Sequence, residues 1–393
     1  MTIKKDAYAI VGLGVTKQGR FKDLTHEDIK VDAMRLALSD AGLKAKDIDG
    51  WVYQRGGIDK NILMSGGVVP KILGFDPGFM MDIQCGGATT ILAIMTACAA
   101  LDSGQSKYVA VGYGDTLSQM RQMGSSDFFG DSDRDTNGSF GMFSFIADHA
   151  LAAKRHMDIF GTTKEQLGTI ALTQREHAHL RPEAFMHGKP LTMEDYLNSK
   201  RVADPLGKYD CCLTADGGCA FIITTAERAK DLKQRPVYIS GFGFGHDLGP
   251  VYNRTQYEQW GIERAKQQTL RMAGVTIDEI DVAQIYDCFT IAVLMQLEGW
   301  GFCKQGEGGS FIEEGHLKLT GKLPTNTSGG ELSFGYMQGF TPLAEGVRQL
   351  RGEAGATQVK DAELCLVTGH GGSTPDGVGN HEYAEAGLIL RRG

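Results

Sequence analysis

The chain repeats itself, weakly but in register. Near the start, Tyr8 to Val11 is an apolar run ending in Gly12-Leu13-Gly14; later, Val237 to Ser240 is another ending in Gly241-Phe242-Gly243. Each is followed by an amphipathic stretch, about residues 29–40 and 258–272, that stops at Ala-Gly, where the glycine is a helix-stop signal. Ala41-Gly42 returns as Ala273-Gly274 and Asp47-Ile48-Asp49 as Glu279-Ile280-Asp281, both displaced by 232 residues. Each half continues to a Gly-Gly step ahead of a helix, Cys85-Gly86-Gly87 and Ser328-Gly329-Gly330, and then to an apolar strand ending in glycines, Tyr108 to Gly114 and Leu364 to Gly372. Strands alternating with helices make α/β layers, and two such halves predict a duplicated five-layered αβαβα sandwich. A single dinucleotide-binding domain would not explain the repeat. Gly12-Leu13-Gly14 lacks that fingerprint's third glycine and downstream acid, and reads as a packing turn.

Between the halves the pattern breaks. Gly124 to Gly141 is rich in Ser, Gly, Asp and Phe and reads as a loop; Phe143 to Met157 and Thr163 to His179 read as helices, the second with a weak capping-box signal from Thr162 or Thr163 with Gln166. This gives an N-terminal half of 1–115 plus 216–235, an inserted region of 116–215 expected to lie over the site as a lid, and a C-terminal half of 236–393. Asp216 to Ile223 returns the chain to a buried strand of the first half.

Composition narrows the partners. A net charge of −8 argues against nucleic acid and against a polybasic membrane surface. No stretch approaches the ~20 apolar residues of a membrane span, and Met1 to Asp6 is polar, so a cytoplasmic location is the default expectation. The eight cysteines form no CxxC pair and there is no HExxH, so no metal is expected.

Four side chains stand where chemistry is done. Cys85 lies at a strand-to-helix turn, where free amides and the helix dipole lower a thiol's pKa; the structural alternative is one more buried cysteine. Tyr286 ends the apolar run Val282 to Ile285, at the strand end where open α/β sheets bind ligands; otherwise its hydroxyl is tied to backbone. Tyr336 sits among glycines in Gly335-Tyr336-Met337-Gln338-Gly339 and is either functional or a loop plug. His370, in Gly369-His370-Gly371-Gly372, can orient or deprotonate a thiol. The amides of Gly371 and Gly372, with that of Cys85, are candidate oxyanion donors. Asp287 is read as fixing loop geometry, and Asn326 as positioning a water or the Tyr336 loop. His177 and His179 sit on a polar helix end and read as solvated; His156 and His187 are candidates to line the lid.

With these motifs in order, Gln84-Cys85-Gly86-Gly87, Tyr286-Asp287-Cys288-Phe289-Thr290, Asn326 to Gly330 and Gly369 to Gly372, the chain resembles the thiolase superfamily, nearest the sterol-carrier-protein-X and lipid-transfer-protein-like branch. The resemblance implies the thiolase fold, coenzyme A thioesters as substrates, and Cys85 as nucleophile. Tyr336 stands where the family usually has histidine, and the Gly369 to Gly372 run lacks the family's second cysteine. The tyrosines resemble those of thiolase-fold aldolases of bacterial steroid side-chain degradation. Those enzymes, like the benzoylsuccinyl-CoA thiolases, work with a small zinc-ribbon OB-fold accessory subunit, implying such a partner here in a heterotetramer. A homodimer is also implied, with residues 80–115, notably Ile91 to Leu101 and Tyr108 to Val111, as its contact. Three functions follow. The leading one is thiolysis of a bulky or aromatic β-ketoacyl-CoA by free CoA through a Cys85 acyl-enzyme. The second is CoA-independent retro-aldol cleavage of a β-hydroxyacyl-CoA by Tyr286 and Tyr336. The third is a non-catalytic acyl-CoA or lipid carrier.

Overall fold

The computed structural model describes residues 4–54, 65–119, 145–248, 261–373 and 382–393. Its main sheet has nine strands: β1 (Tyr8–Val15), β2 (Gly50–Tyr53), β3 (Phe79–Asp82), β4 (Val109–Thr116), β7 (Asp216–Thr225), β8 (Val237–Leu248), β9 (Val282–Gln284), β10 (Leu364–Ser373) and β11 (Glu382–Arg392). A small ribbon of β5 (Arg201–Ala203) and β6 (Leu206–Gly207) lies in the insertion. The sheet order is β3-β2-β4-β7-β1-β8-β11-β10-β9.

That order contains the repeat. From its outer side inward, the first half runs β2-β4-β7-β1 and the second β9-β10-β11-β8. In both, the first pair is parallel and the next two are antiparallel. β3 lies parallel to β2, and its counterpart is reduced to a parallel bridge between Ala283 and Thr325. The halves meet where β1 and β8 pair antiparallel, Tyr8 opposite Ile239, Ala9 opposite Tyr238 and Ile10 opposite Val237.

Helices make the layers. His26–Ala41, with a Thr25–Asp28 capping box and left-handed Gly42 at its end, covers β1, β7 and β4. Its counterpart Gly261–Ala273 covers β8 and β11. Between the two half-sheets lie Thr89–Asp102 and Phe340–Arg351, each touching strands of both halves. The fold is thus the five-layered sandwich expected. The central core joins both halves through Ile94, Phe221, Phe340, Leu343 and Val367. Burying an aliphatic or aromatic side chain there contributes roughly 1.5–3 kcal/mol.

Two readings are corrected here. Gly12-Leu13-Gly14 is not a turn: it lies inside β1. A Cβ on Gly12 would come 2.7 Å from the carbonyl oxygen of Ala37, and one on Gly14 would come 2.5 Å from the amide of Ala37. The glycines let helix 26–41 lie directly on the strand. Gly241 and Gly243 do the same against Ala273 and Gln268 of helix 261–273. The second correction concerns the expected dimer contact. Ile91, Ile94, Ala97, Cys98 and Leu101 face the central layer, and Val109 to Val111 lie in β4, flanked by β2 and β7. Most of each apolar run is spent inside the chain, with Leu92 and Met95 half-buried and Ala99 exposed. Within residues 80–115 the large exposed apolar side chains are Met80 and Met81, on strand β3.

The insertion's helices are Phe145–Phe160 and Lys164–His179, the latter with the expected Thr163–Gln166 capping box. The loop read from Gly124 to Gly141 lies outside the described residues, as do Met142 and Phe143. Among the described residues no helix is long and apolar enough to cross a membrane.

Candidate active site

The Cys85 turn, Tyr286, the Tyr336 loop and β10 converge on one small residue. A Cβ built on Gly87 would overlap Cζ of Tyr286 and come 2.5 Å from the carbonyl oxygen of His370. A Cβ on Gly339, at φ 90°, would come 2.5 Å from the carbonyl oxygen of Gly87. One on Gly371 would come 2.9 Å from the amide nitrogen of Gly87. The Cys85 turn, the end of β9, the Tyr336 loop and β10 therefore touch at Gly87, where only hydrogen fits.

Cys85 is partly exposed, in the turn leading into helix 89–102. Gly86 has φ 52°, and the amides of Ala88 and Thr89 bond back to the carbonyls of Cys85 and Gly86 at 3.1 Å. The Cys85 amide itself donates to Thr89 Oγ1 at 2.7 Å, so it is already engaged.

Tyr286 is 3% exposed. Its backbone is held by a ring of polar side chains. Its amide donates to Thr368 Oγ1 (3.0 Å), that hydroxyl donates to Gln296 Oε1 (2.6 Å), and Gln296 Nε2 donates to the Tyr286 carbonyl (2.7 Å). Asn326, at φ 49°, bonds both main-chain groups of Ile285: Oδ1 accepts from the Ile285 amide (2.7 Å) and Nδ2 donates to its carbonyl (2.8 Å). It fixes the strand end that carries Tyr286.

The hydroxyls of Tyr286 and Tyr336 lie 3.5 Å apart. Burial, followed by neighbouring groups, pushes both phenols well above their ordinary pKa, so both are protonated at neutral pH. Two buried carboxyls set the Tyr336 loop. Asp287 accepts from the amides of Glu331 (2.9 Å) and Leu332 (3.0 Å), and Glu331 Oε1 accepts from those of Met337 (3.3 Å) and Gly339 (2.6 Å). Burial raises the pKa of both, and the Asp287 charge raises Glu331 further, so Glu331 holds the proton the pair retains.

His370 is buried, and Gly369 to Gly372 form part of β10 and not the loop expected. Gly371 pairs with Ala384 and Gly372 with Tyr383. His370 Nδ1 bonds Glu385 Oε1 at 2.6 Å, and its Nε2 lies 3.0 Å from Nε2 of His149. His149 comes from the inserted helix 145–160, where its Nδ1 bonds the Phe145 carbonyl at 2.7 Å. Cys288 Sγ is 3.9 Å from His149 Nε2.

Sequence reasoning missed His149, Glu331 and Glu385. A lone histidine on a helix, 221 residues from the one it meets, carries no local signal, and neither do acids whose partners are set by packing and not by a motif. It also misread His177, which is buried with its Nδ1 bonded to the Asn326 carbonyl at 3.2 Å; burial lowers its pKa to about 4. His179 is exposed, as expected. His156 is fully buried against Thr162 and Glu298. His179 and His187 stack on each other.

A duplicated αβαβα sandwich in which Tyr286, the Tyr336 loop and the glycines of β10 meet at a cysteine turn is a thiolase-fold protein. Residues 245–378 match the family model for a thiolase C-terminal domain-like region. The chain is 33% identical to a 17-hydroxy-3-oxo-4-pregnene-20-carboxyl-CoA lyase of Mycobacterium tuberculosis, over 94% of this chain and 98% of that one. It is 31% identical to a steroid side-chain-cleaving aldolase of Thermomonospora curvata, over 96% and 98%. It is 29% identical to the benzoylsuccinyl-CoA thiolase subunit BbsB of Thauera aromatica, over 94% and 95%. A solved structure described as an Ltp2-ChsH2(DUF35) aldolase superposes with a TM-score of 0.85 at 29% identity, covering 100% of this chain and 99% of that one. The chain belongs to the thiolase superfamily, in its sterol-carrier-protein-X and lipid-transfer-protein-like branch. It is an enzyme of that superfamily, with chemistry related to coenzyme A thioesters.

Proposed function

We propose that the chain is a retro-aldolase that cleaves a β-hydroxyacyl-CoA without free CoA. The observation that carries this is the pair of buried, protonated tyrosine hydroxyls 3.5 Å apart. Neither phenol need ionise. One accepts the substrate's β-hydroxyl proton as it passes its own to the second, and the second protonates the α-carbon. The bond between α- and β-carbons breaks, its electron pair forms the thioester enolate, and the β-carbon becomes a carbonyl. Each tyrosine ends as it began, and no oxidant or reductant is needed. Lyase and aldolase relatives at 33% and 31% identity support this reading, which was the second one from sequence, after thiolysis.

Thiolysis is the second reading, favoured by Cys85 itself: a partly exposed thiol at the turn into helix 89–102. Thiolase and acetyl-CoA acetyltransferase relatives at 29% identity point the same way. The carrier reading rests on a partial likeness: Sterol carrier protein 2 of Bos taurus is 31% identical over 55% of this chain and 41% of that one, whereas the relatives matched along nearly their whole length are named for reactions.

Assembly is also a proposal. The Ltp2-ChsH2(DUF35) aldolase is named for two components. That supports a zinc-ribbon OB-fold accessory subunit for this chain, beside a homodimer that uses the β3 edge with Met80 and Met81.

The experiment is turnover of β-hydroxyacyl-CoA esters without free CoA, with intact-mass analysis after β-ketoacyl-CoA, for wild type, Cys85→Ala, Tyr286→Phe and Tyr336→Phe. The aldolase reading expects Cys85→Ala to stay within about tenfold and each Tyr→Phe to lose about 10²–10⁴-fold. An acyl adduct on wild type, absent from Cys85→Ala and discharged by CoA, would replace it with thiolysis.

A further inference from the structure

His149, Cys288 and His370 are buried and come from three elements: inserted helix 145–160, the segment after β9, and β10. Their imidazole Nε2 and thiol Sγ atoms all lie within 4.8 Å of one another. Histidine and cysteine at such a distance are ligands of zinc and related transition metals.

The tautomers sharpen the case. A carbonyl oxygen only accepts, so His149 Nδ1, 2.7 Å from the Phe145 carbonyl, carries a hydrogen. His370 Nδ1 donates likewise to the Glu385 carboxylate at 2.6 Å. In neutral imidazoles both Nε2 atoms then present lone pairs, and these face each other across 3.0 Å. Two lone pairs so placed repel unless a positive centre lies between them, a proton or a metal ion. A proton would put an imidazolium into a site where both rings are buried, and burial disfavours the charged form.

A metal fits better. Two nitrogens about 2.0–2.1 Å from a tetrahedral ion stand about 3.3 Å apart, and a nitrogen and a thiolate sulfur about 3.6 Å. The observed 3.0 Å between the nitrogens is about 0.3 Å shorter, and the observed 3.9 Å between sulfur and nitrogen about 0.3 Å longer, than these values. Each imidazole already has the partner on its far nitrogen that metal-ligating histidines use, a backbone carbonyl for His149 and a carboxylate for His370. A bound metal would take Cys288 as the thiolate and displace its proton.

We propose that His149, His370 and Cys288 bind one divalent transition-metal ion of the zinc class. The sequence showed no ligand spacing because the three positions lie far apart along the chain. The site is independent of whether the enzyme is an aldolase or a thiolase, since binding is read without turnover.

The test uses the full chain, expressed alone and without a histidine tag, so that metal held by an accessory subunit does not enter the count. Apo protein from chelator dialysis is titrated with zinc, and separately with cobalt as a spectroscopic probe. The inference expects about one equivalent of zinc retained per chain through gel filtration. With cobalt it expects tetrahedral d–d bands and a sulfur-to-cobalt charge-transfer band. The latter is lost in Cys288→Ser; retained zinc is lost in His149→Gln and kept in Cys303→Ser. No stoichiometric metal on the wild type, or a cobalt spectrum that is octahedral and lacks the thiolate band, overturns it and assigns the histidine pair to a shared proton. Should the variants fail to fold, the wild-type cobalt spectrum alone decides.

Discussion

Replacing Gly87 with alanine tests the geometry of the whole site in one atom. The added Cβ would come 2.5 Å from the His370 carbonyl oxygen and overlap Cζ of Tyr286. Carbon–oxygen contacts settle at about 3.3–3.6 Å, so something must give by about 1 Å. Backbone lies on one side, in β10, laddered to β11. On the other is a tyrosine 3% exposed, whose backbone is tied to Thr368 and Gln296. The Cys85 turn is wedged against Gly339 and Gly371 as well. Overpacking of this kind costs about 1–3 kcal/mol. A 1 Å misplacement of a reacting group costs about 10²-fold in rate. Gly87→Ala is therefore expected to fold with a lowered Tm and to lose at least about 10²-fold in kcat on whichever CoA ester the wild type turns over. The assay pairs differential scanning fluorimetry with acyl-CoA product release. A variant with unchanged Tm and turnover within about twofold of wild type would refute convergence at Gly87.

Other consequences follow from the same coordinates. Arg181, buried beside Glu345 and raised above its ordinary pKa by that partner's charge against the cost of burial, ties the insertion to helix 340–351. Arg181→Met should lose about 3–5 kcal/mol in urea unfolding, and the double variant with Glu345→Leu should recover much of it; no recovery would show that the pair is not the cause. His177 has a folded pKa near 4 against about 6.5 unfolded, so its contribution is complete above pH 6.5 and is lost as pH falls toward 4. His177→Gln should flatten that part of the stability–pH curve by up to about 3 kcal/mol; an unchanged slope would return His177 to the surface. Gly14→Ala and Gly243→Ala, at equivalent positions of the repeat, should each cost about 1–3 kcal/mol; a loss at only one would break the equivalence.

The repeat was legible because each copy carries its own local signals. An apolar strand, a helix stopped by Ala-Gly and a Gly-Gly step are written in consecutive residues. The Cys85 turn and Tyr286 at a strand end were legible for the same reason. The apolar run Ile91 to Leu101 was not, because a helix buried between two sheets and one buried in a dimer have the same composition. His177 was misread because its burial is supplied from elsewhere: Gly329 lets the 326–330 segment lie against Ala178 and Gln174. His149 reaches His370 across 221 residues of sequence, and only the packing of the insertion says so.

The pairing of β1 with both β7 and β8 has a consequence for how the chain is made. Tyr8 is opposite Thr225 on one side and Ile239 on the other, so β1 has neighbours more than two hundred residues downstream. At about 5–20 residues per second, it emerges roughly 10–45 seconds before either partner exists. Through that interval Ala9, Ile10 and Val11, all fully buried in the finished protein, have no sheet to join. Contacts of such long range also slow folding. The nascent chain therefore carries an apolar strand with two open edges, a target for holding chaperones and for aggregation. Expression at low temperature or with slowed translation should move more of the protein's fate onto that one segment.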